Sequence, residues 1–78
     1  MNIKVLGTGC AKCETLEKAV KEAVNQLNIN AEIEKITDIM KILNYGVINL
    51  PALIINEKVI LSGKVPSVNE LKEIISKI

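Results

Sequence analysis

Apolar residues recur along this chain in two rhythms. Between residues 11 and 28, Leu16, Ala19, Val20, Ala23, Val24 and Leu27 return at spacings of three and four. That is the rhythm of a helix with one face in a core. The opposite face carries Glu14/Lys18 and Glu17/Lys21, acid first and four apart, an order that supports a helix. Before it, "NIKVL" (2–6) is short, apolar-rich and closed by Gly7, and reads as a strand. After it, "AEIEKI" (31–36) alternates as a strand with one wet face does.

The second half continues in the same way. Thr37 or Asp38 is expected to cap a short helix with Ile39, Ile42 and Leu43 on its inner face, and Gly46 suits its C-terminal end. "ALII" (52–55) and "KVIL" (58–61) are strands joined across Asn56–Glu57, a hairpin spacing. Asn fits the first left-handed turn position, whereas Glu57 stands where Gly is preferred. "SVNE" (67–70) is a capping box, with Ser67 as N-cap and Glu70 three residues on. Leu71, Ile74, Ile75 and Ile78 then line one face of a last helix.

The order is β-α-β-α-β-β-α, an α/β chain. A right-handed crossover makes the first two strands parallel, and the hairpin makes the last two antiparallel. The expected result is a four-stranded mixed sheet flanked by three helices. "ALII" lacks polar alternation, as a strand buried on both faces does. Lys4 is awkward in a central first strand; it must snorkel or meet Glu32 or Glu34.

Length and composition narrow the function. The chain has 78 residues, read as one domain over 1–78, a size that buries only about 60% of the unfolded surface. With no Trp, no Phe and one Tyr, its 49% apolar content makes an aliphatic core. Ten lysines and nine acids give a net charge of +1. They are interspersed, which argues against a nucleic-acid partner, since that needs a clustered basic face. No apolar run is long enough for a signal peptide at the start or for a membrane span. The expected location is the reducing cytoplasm.

Both cysteines stand in "GTGCAKCETL" (7–16). Cys10 precedes the first helix, where unpaired N–H groups and the helix dipole favour a thiolate. Lys12 adds positive charge nearby and is a candidate for tuning that thiol. Cys13 falls on the buried stripe with Leu16, Val20, Ala23 and Leu27, and Cys10 is expected to be the more exposed. A structural disulfide would close a very small loop and be reduced in the cytoplasm. Zinc needs four ligands, and two Cys with no His supply them only in a dimer. Copper(I) needs two soft ligands, so a copper carrier is the serious rival. A working dithiol is the best reading, because CxxC near a βαβ pattern is a redox signal.

"CAKC" at a strand-to-helix turn, followed by "YGVINLPALIINEK" (45–58), resembles the thioredoxin fold in its short, glutaredoxin-sized form. With its "GxGCxKC" opening the chain looks most like the small redox-active disulfide proteins, thioredoxin-like family 3. That resemblance implies a thiol–disulfide oxidoreductase or dithiol electron carrier without a resident cofactor or metal. It implies Cys10 as the attacking thiol and Cys13 as the resolving one. Leu50–Pro51 would be the cis-proline pair facing the cysteines, with the Leu50 backbone holding an extended substrate. The implied partners are a disulfide-containing protein or small molecule and a reductase or dithiol donor. Gly9 stands where thioredoxin has an aromatic residue, and Ala11–Lys12 replace its Gly-Pro, so less apolar surface surrounds the site. Tyr45 is open to a site role or to core packing.

Two alternatives stand beside this reading. Heavy-metal-associated copper carriers also open with a strand and a CxxC turn, but their order β-α-β-β-α-β ends in a strand rather than a capped helix. A non-catalytic interaction module on the same scaffold would need no dithiol.

Overall fold

The computed structural model describes residues 1–8 and 11–78. Strand β1 (Asn2–Leu6) leads to helix α1 (Ala11–Leu27), strand β2 (Glu32–Ile36) and the short helix α2 (Ile39–Asn44). Strands β3 (Ala52–Ile55) and β4 (Lys58–Ser62) follow, and α3 (Val68–Ser76) ends the order. The sheet order is β2-β1-β3-β4. β1 pairs parallel with β2, from Asn2 opposite Glu32 to Leu6 opposite Ile36. It pairs antiparallel with β3, from Ile3 opposite Ile55 to Leu6 opposite Ala52. β3 and β4 form the expected antiparallel hairpin, with a register shift between Leu53 and Ile54.

The two central strands divide the core by simple alternation. Ile3 and Val5 of β1, with Leu53 and Ile55 of β3, turn toward α1 and α3 and pack on Leu16, Val20, Ala23, Val24, Leu71 and Ile75. Leu6, Ala52 and Ile54 turn the other way and pack with Ile36, Ile42 and Val47. All four residues of β3 are buried, as the unbroken "ALII" run requires.

Local chemistry sets the ends of the elements. Asp38 caps α2, its carboxylate accepting the Met40 N–H at 2.9 Å. The Gly46 N–H closes that helix on the Leu43 carbonyl at 2.9 Å. The capping box at α3 is formed in both directions: Ser67 Oγ accepts the Glu70 N–H at 3.2 Å, and Glu70 Oε1 accepts the Ser67 N–H at 3.4 Å. The β3–β4 turn places Asn56 at φ 51° and Glu57 at φ 68°. Glu57 therefore adopts the left-handed conformation for which Gly was the preferred residue.

Three expectations are corrected. Of the proposed inner face of α2 only Ile42 is buried; Ile39 and Leu43 are exposed. A six-residue helix makes fewer than two turns, so it seats one side chain rather than a stripe. Ile78 is also exposed, lying past the end of α3. Lys4 meets neither Glu32 nor Glu34 but reaches Glu57 at the hairpin tip, with its Nζ 2.8 Å from Oε1.

Candidate active site

β1 ends at Leu6, and α1 begins at Ala11, the residue after Cys10 in sequence. Gly9 and Cys10 lie outside the described residues, and so do the expected exposure and helix-capping position of Cys10. Cys13, the third residue of α1, is fully buried and heads the stripe of Leu16, Val20 and Ala23. Leu27, at the far end of that stripe, is half-buried. Lys12 is exposed.

Gly7 is buried between these elements, its N–H donating to the Ile36 carbonyl of β2 at 3.0 Å. A Cβ added at Gly7 would stand 2.7 Å from the Cys13 Cβ and overlap its Sγ. The end of β1 and the first turn of α1 therefore touch through the missing side chain.

Pro51 arrives at the same end of the sheet from the other direction. Leu6 faces Ala52 in the β1–β3 ladder, so one further step would set Gly7 opposite Pro51. Pro51 is fully buried, and the Leu50–Pro51 peptide bond is cis. The Pro51 carbonyl accepts the Gly63 N–H at 2.7 Å. Gly63 has φ 73°, and a Cβ there would lie 3.0 Å from the Asn49 Cβ. Leu50 is half-buried and packs against the Leu6/Ile54 cluster. Ile48, two residues earlier, is 90% exposed. The fold thus brings Cys13, Gly7 and Pro51 to the carboxyl end of the parallel β1–β2 pair, the edge where open α/β sheets carry their sites.

The main polar cluster among the described residues lies elsewhere, on the α2 face. Lys4 Nζ donates to Tyr45 Oη at 2.7 Å and to Glu57 Oε1 at 2.8 Å, and lies 5.4 Å from the centre of the Tyr45 ring. Tyr45 Oη is 3.4 Å from Glu57 Oε2. The Glu57 carboxylate, and after it the Tyr45 hydroxyl, hold the Lys4 ammonium above the usual lysine range. The hydrogen bond from Lys4 holds the Glu57 carboxyl below the usual carboxylate range. Tyr45 is thereby committed to this structural cluster. A cleft of about 340 Å³ beside it is lined by Lys4, Glu34, Ile36, Lys41, Asn44 and Tyr45, on the α2 side of the sheet.

The close fit of Gly7 to Cys13 and the tie from Gly63 to Pro51 were missed in the sequence. A glycine directly after a strand is a signal of close backbone approach, but the sequence does not name what approaches.

A sheet of order β2-β1-β3-β4, with a cysteine buried in the first turn of the helix after β1 and a proline leading into β3, is the architecture of a thioredoxin-fold redox protein. The chain belongs to the thioredoxin family: the family described as "Thioredoxin domain" matches residues 1–76. It is 45% identical over 76 residues to a thioredoxin of Methanothermobacter thermautotrophicus, covering 97% of this chain and 99% of that protein. It is 42% identical over 71 residues to a thioredoxin of Methanocaldococcus jannaschii, covering 91% of this chain and 81% of that one. A probable thioredoxin of Archaeoglobus fulgidus is 32% identical over 72 residues, 88% of this chain and 78% of its own length. The chain is a thiol–disulfide oxidoreductase.

Proposed function

We propose that this activity runs through Cys10 and Cys13 as a two-step dithiol exchange, in one domain spanning 1–78. The Cys10 thiolate attacks a substrate disulfide and forms a mixed disulfide. Cys13 then attacks Cys10, releases the reduced substrate and leaves the Cys10–Cys13 disulfide. The observation that carries this division is the burial of Cys13 in the first turn of α1. A buried thiol is shielded from bulky disulfides and suits an attack within the molecule, whereas the incoming substrate needs an accessible sulfur. Lys12, exposed and between the two cysteines, favours the thiolate by its charge.

Leu50 and Pro51 form the substrate side of the site in this proposal. The Leu50 backbone pairs with an extended substrate segment beside the reacting sulfurs, in the manner of an added strand. The partners are a disulfide-containing protein or small molecule and a reductase or small dithiol that restores the reduced form. Its setting is the cytoplasm, where a reductant keeps the dithiol ready. No helix among the described residues is long and apolar enough to cross a membrane.

Equilibrating the protein in glutathione buffers of graded ratio, and counting alkylatable thiols by mass, tests the proposal. A single two-electron transition that converts Cys10 and Cys13 together is expected. Two thiols that instead oxidise independently, as separate glutathione adducts, would contradict it.

A further inference from the structure

Gly7 continues the alternation that turns Ile3 and Val5 toward α1, and it is there that Cys13 comes down on the sheet. Real side-chain atoms do not approach as closely as a Gly7 Cβ would approach Cys13, so a methyl group there must displace something. The backbone of Gly7 is tied to β2 through the Ile36 carbonyl at 3.0 Å. The helix behind Cys13 is held by the buried Leu16, Val20, Ala23 and Val24. The Cys13 Sγ must turn aside, and because the Cys13 Cβ is fixed to the backbone, the first turn of α1 must give by a few tenths of an ångström with it.

We propose that Gly7 is a positioning residue for Cys13, its missing side chain providing the seat in which the Cys13 sulfur is held for attack on Cys10. The inference rests on the oxidoreductase reading above. In the step concerned, the Cys13 thiol gives up its proton and its sulfur attacks the Cys10 sulfur, the proton ending on the departing substrate sulfur. The bond between Cys10 and the substrate sulfur breaks, and the Cys10–Cys13 bond forms. The substrate sulfur leaves with the electron pair. The substrate is reduced and the dithiol oxidised, with no other reactant needed. A sulfur displaced by about 1 Å from such an alignment loses on the order of 100-fold in rate.

Cystamine serves as the disulfide probe, with acid quenching and mass analysis of the Cys10 adduct. Gly7→Ala is compared with Leu71→Ala, a buried α3 position in the α1–α3 core whose side chain is not among the atoms a Gly7 Cβ would meet first. Gly7→Ala is expected to leave attack by Cys10 unchanged and to slow resolution by about 100-fold, so that the adduct accumulates. Leu71→Ala is expected to leave the ratio of the two steps as it is. Resolution at the wild-type rate in Gly7→Ala, or equal slowing in Leu71→Ala, would overturn the proposal. If Gly7→Ala does not fold, the Cys10→Ser variant decides: native Cys13 must resist iodoacetamide strongly compared with the same protein in urea, and reaction at the denatured rate overturns the seat. If wild type shows no attack on cystamine, the oxidoreductase mechanism fails on its own account. The seat is then judged by adding Gly7→Ala to Cys10→Ser: faster alkylation of Cys13 supports it, and an unchanged rate overturns it.

Discussion

The Lys4 ammonium lies 2.8 Å from Glu57 Oε1, although 53 residues separate them in sequence. Lys4 sits mid-strand in β1 with its side chain 14% exposed, while Glu57 stands at the hairpin tip, 61% exposed. The pair resolves two irregularities at once. It gives a lysine in a central strand its counter-charge, and it gives a non-glycine residue in a left-handed turn a tie to the neighbouring strand.

The pair predicts a pH signature. The folded protein holds the Glu57 carboxyl below its ordinary value, which is about 4.3 in an unfolded chain. The stability it adds is fully present above that unfolded value and disappears as pH falls through the lower folded one. Lys4 is shifted upward, so its share is complete below about pH 10.4 and is lost only in stronger alkali. The gap in melting temperature between wild type and Glu57→Gln should be constant near neutrality and should close in acid below about pH 4. An equal gap at acid and neutral pH would exclude the ion pair as its source.

Helix α2 predicts a contrast between neighbours. Ile42 is buried and Leu43, next in sequence, is exposed. Ile42→Ala should cost about 2–5 kcal/mol in urea unfolding. Leu43→Ala should change stability by no more than about 0.5 kcal/mol. Comparable losses at both positions would contradict the seating of this helix by a single side chain.

The sequence made much of this fold legible where the signal is local. The Ser67–Glu70 box, the cap at Thr37 or Asp38 (Asp38 in the structure), the hairpin spacing at Asn56–Glu57 and the unbroken apolar run of β3 each act within a few residues, and each is present. What stayed hidden depends on register. The sequence points Lys4 to Glu32 or Glu34 on the adjacent parallel strand, because nothing local shows that the hairpin tip folds back beside β1. The approach of Cys13 to Gly7 likewise arises only once α1 is docked on the sheet. Periodicity placed Cys13 on the buried stripe correctly, since that is a property of α1 alone.

Gly63 predicts a local cost near the site. Its φ of 73° favours a residue without a side chain, and in that conformation its N–H reaches the Pro51 carbonyl. Gly63→Ala should lower stability by about 1–2 kcal/mol, the penalty of the left-handed conformation, with the tight contact to Asn49 adding to it. The urea midpoint should fall while the slope of the transition stays the same. An unchanged midpoint would show that the loop before β3 is not held through Gly63.

The most direct test of the dithiol mechanism traps its intermediate. Cys13→Ser removes the resolving thiol and leaves the attacking one, so challenge with a disulfide substrate should accumulate a mixed disulfide at Cys10. Cys10→Ser leaves only the buried Cys13 and should trap little. Peptide mapping by mass spectrometry reads the site of the adduct without an aromatic reporter, which suits a chain with no Trp. Accumulation at Cys10 in Cys13→Ser is the predicted result. A stronger trap in Cys10→Ser, or no adduct in either variant, would contradict it.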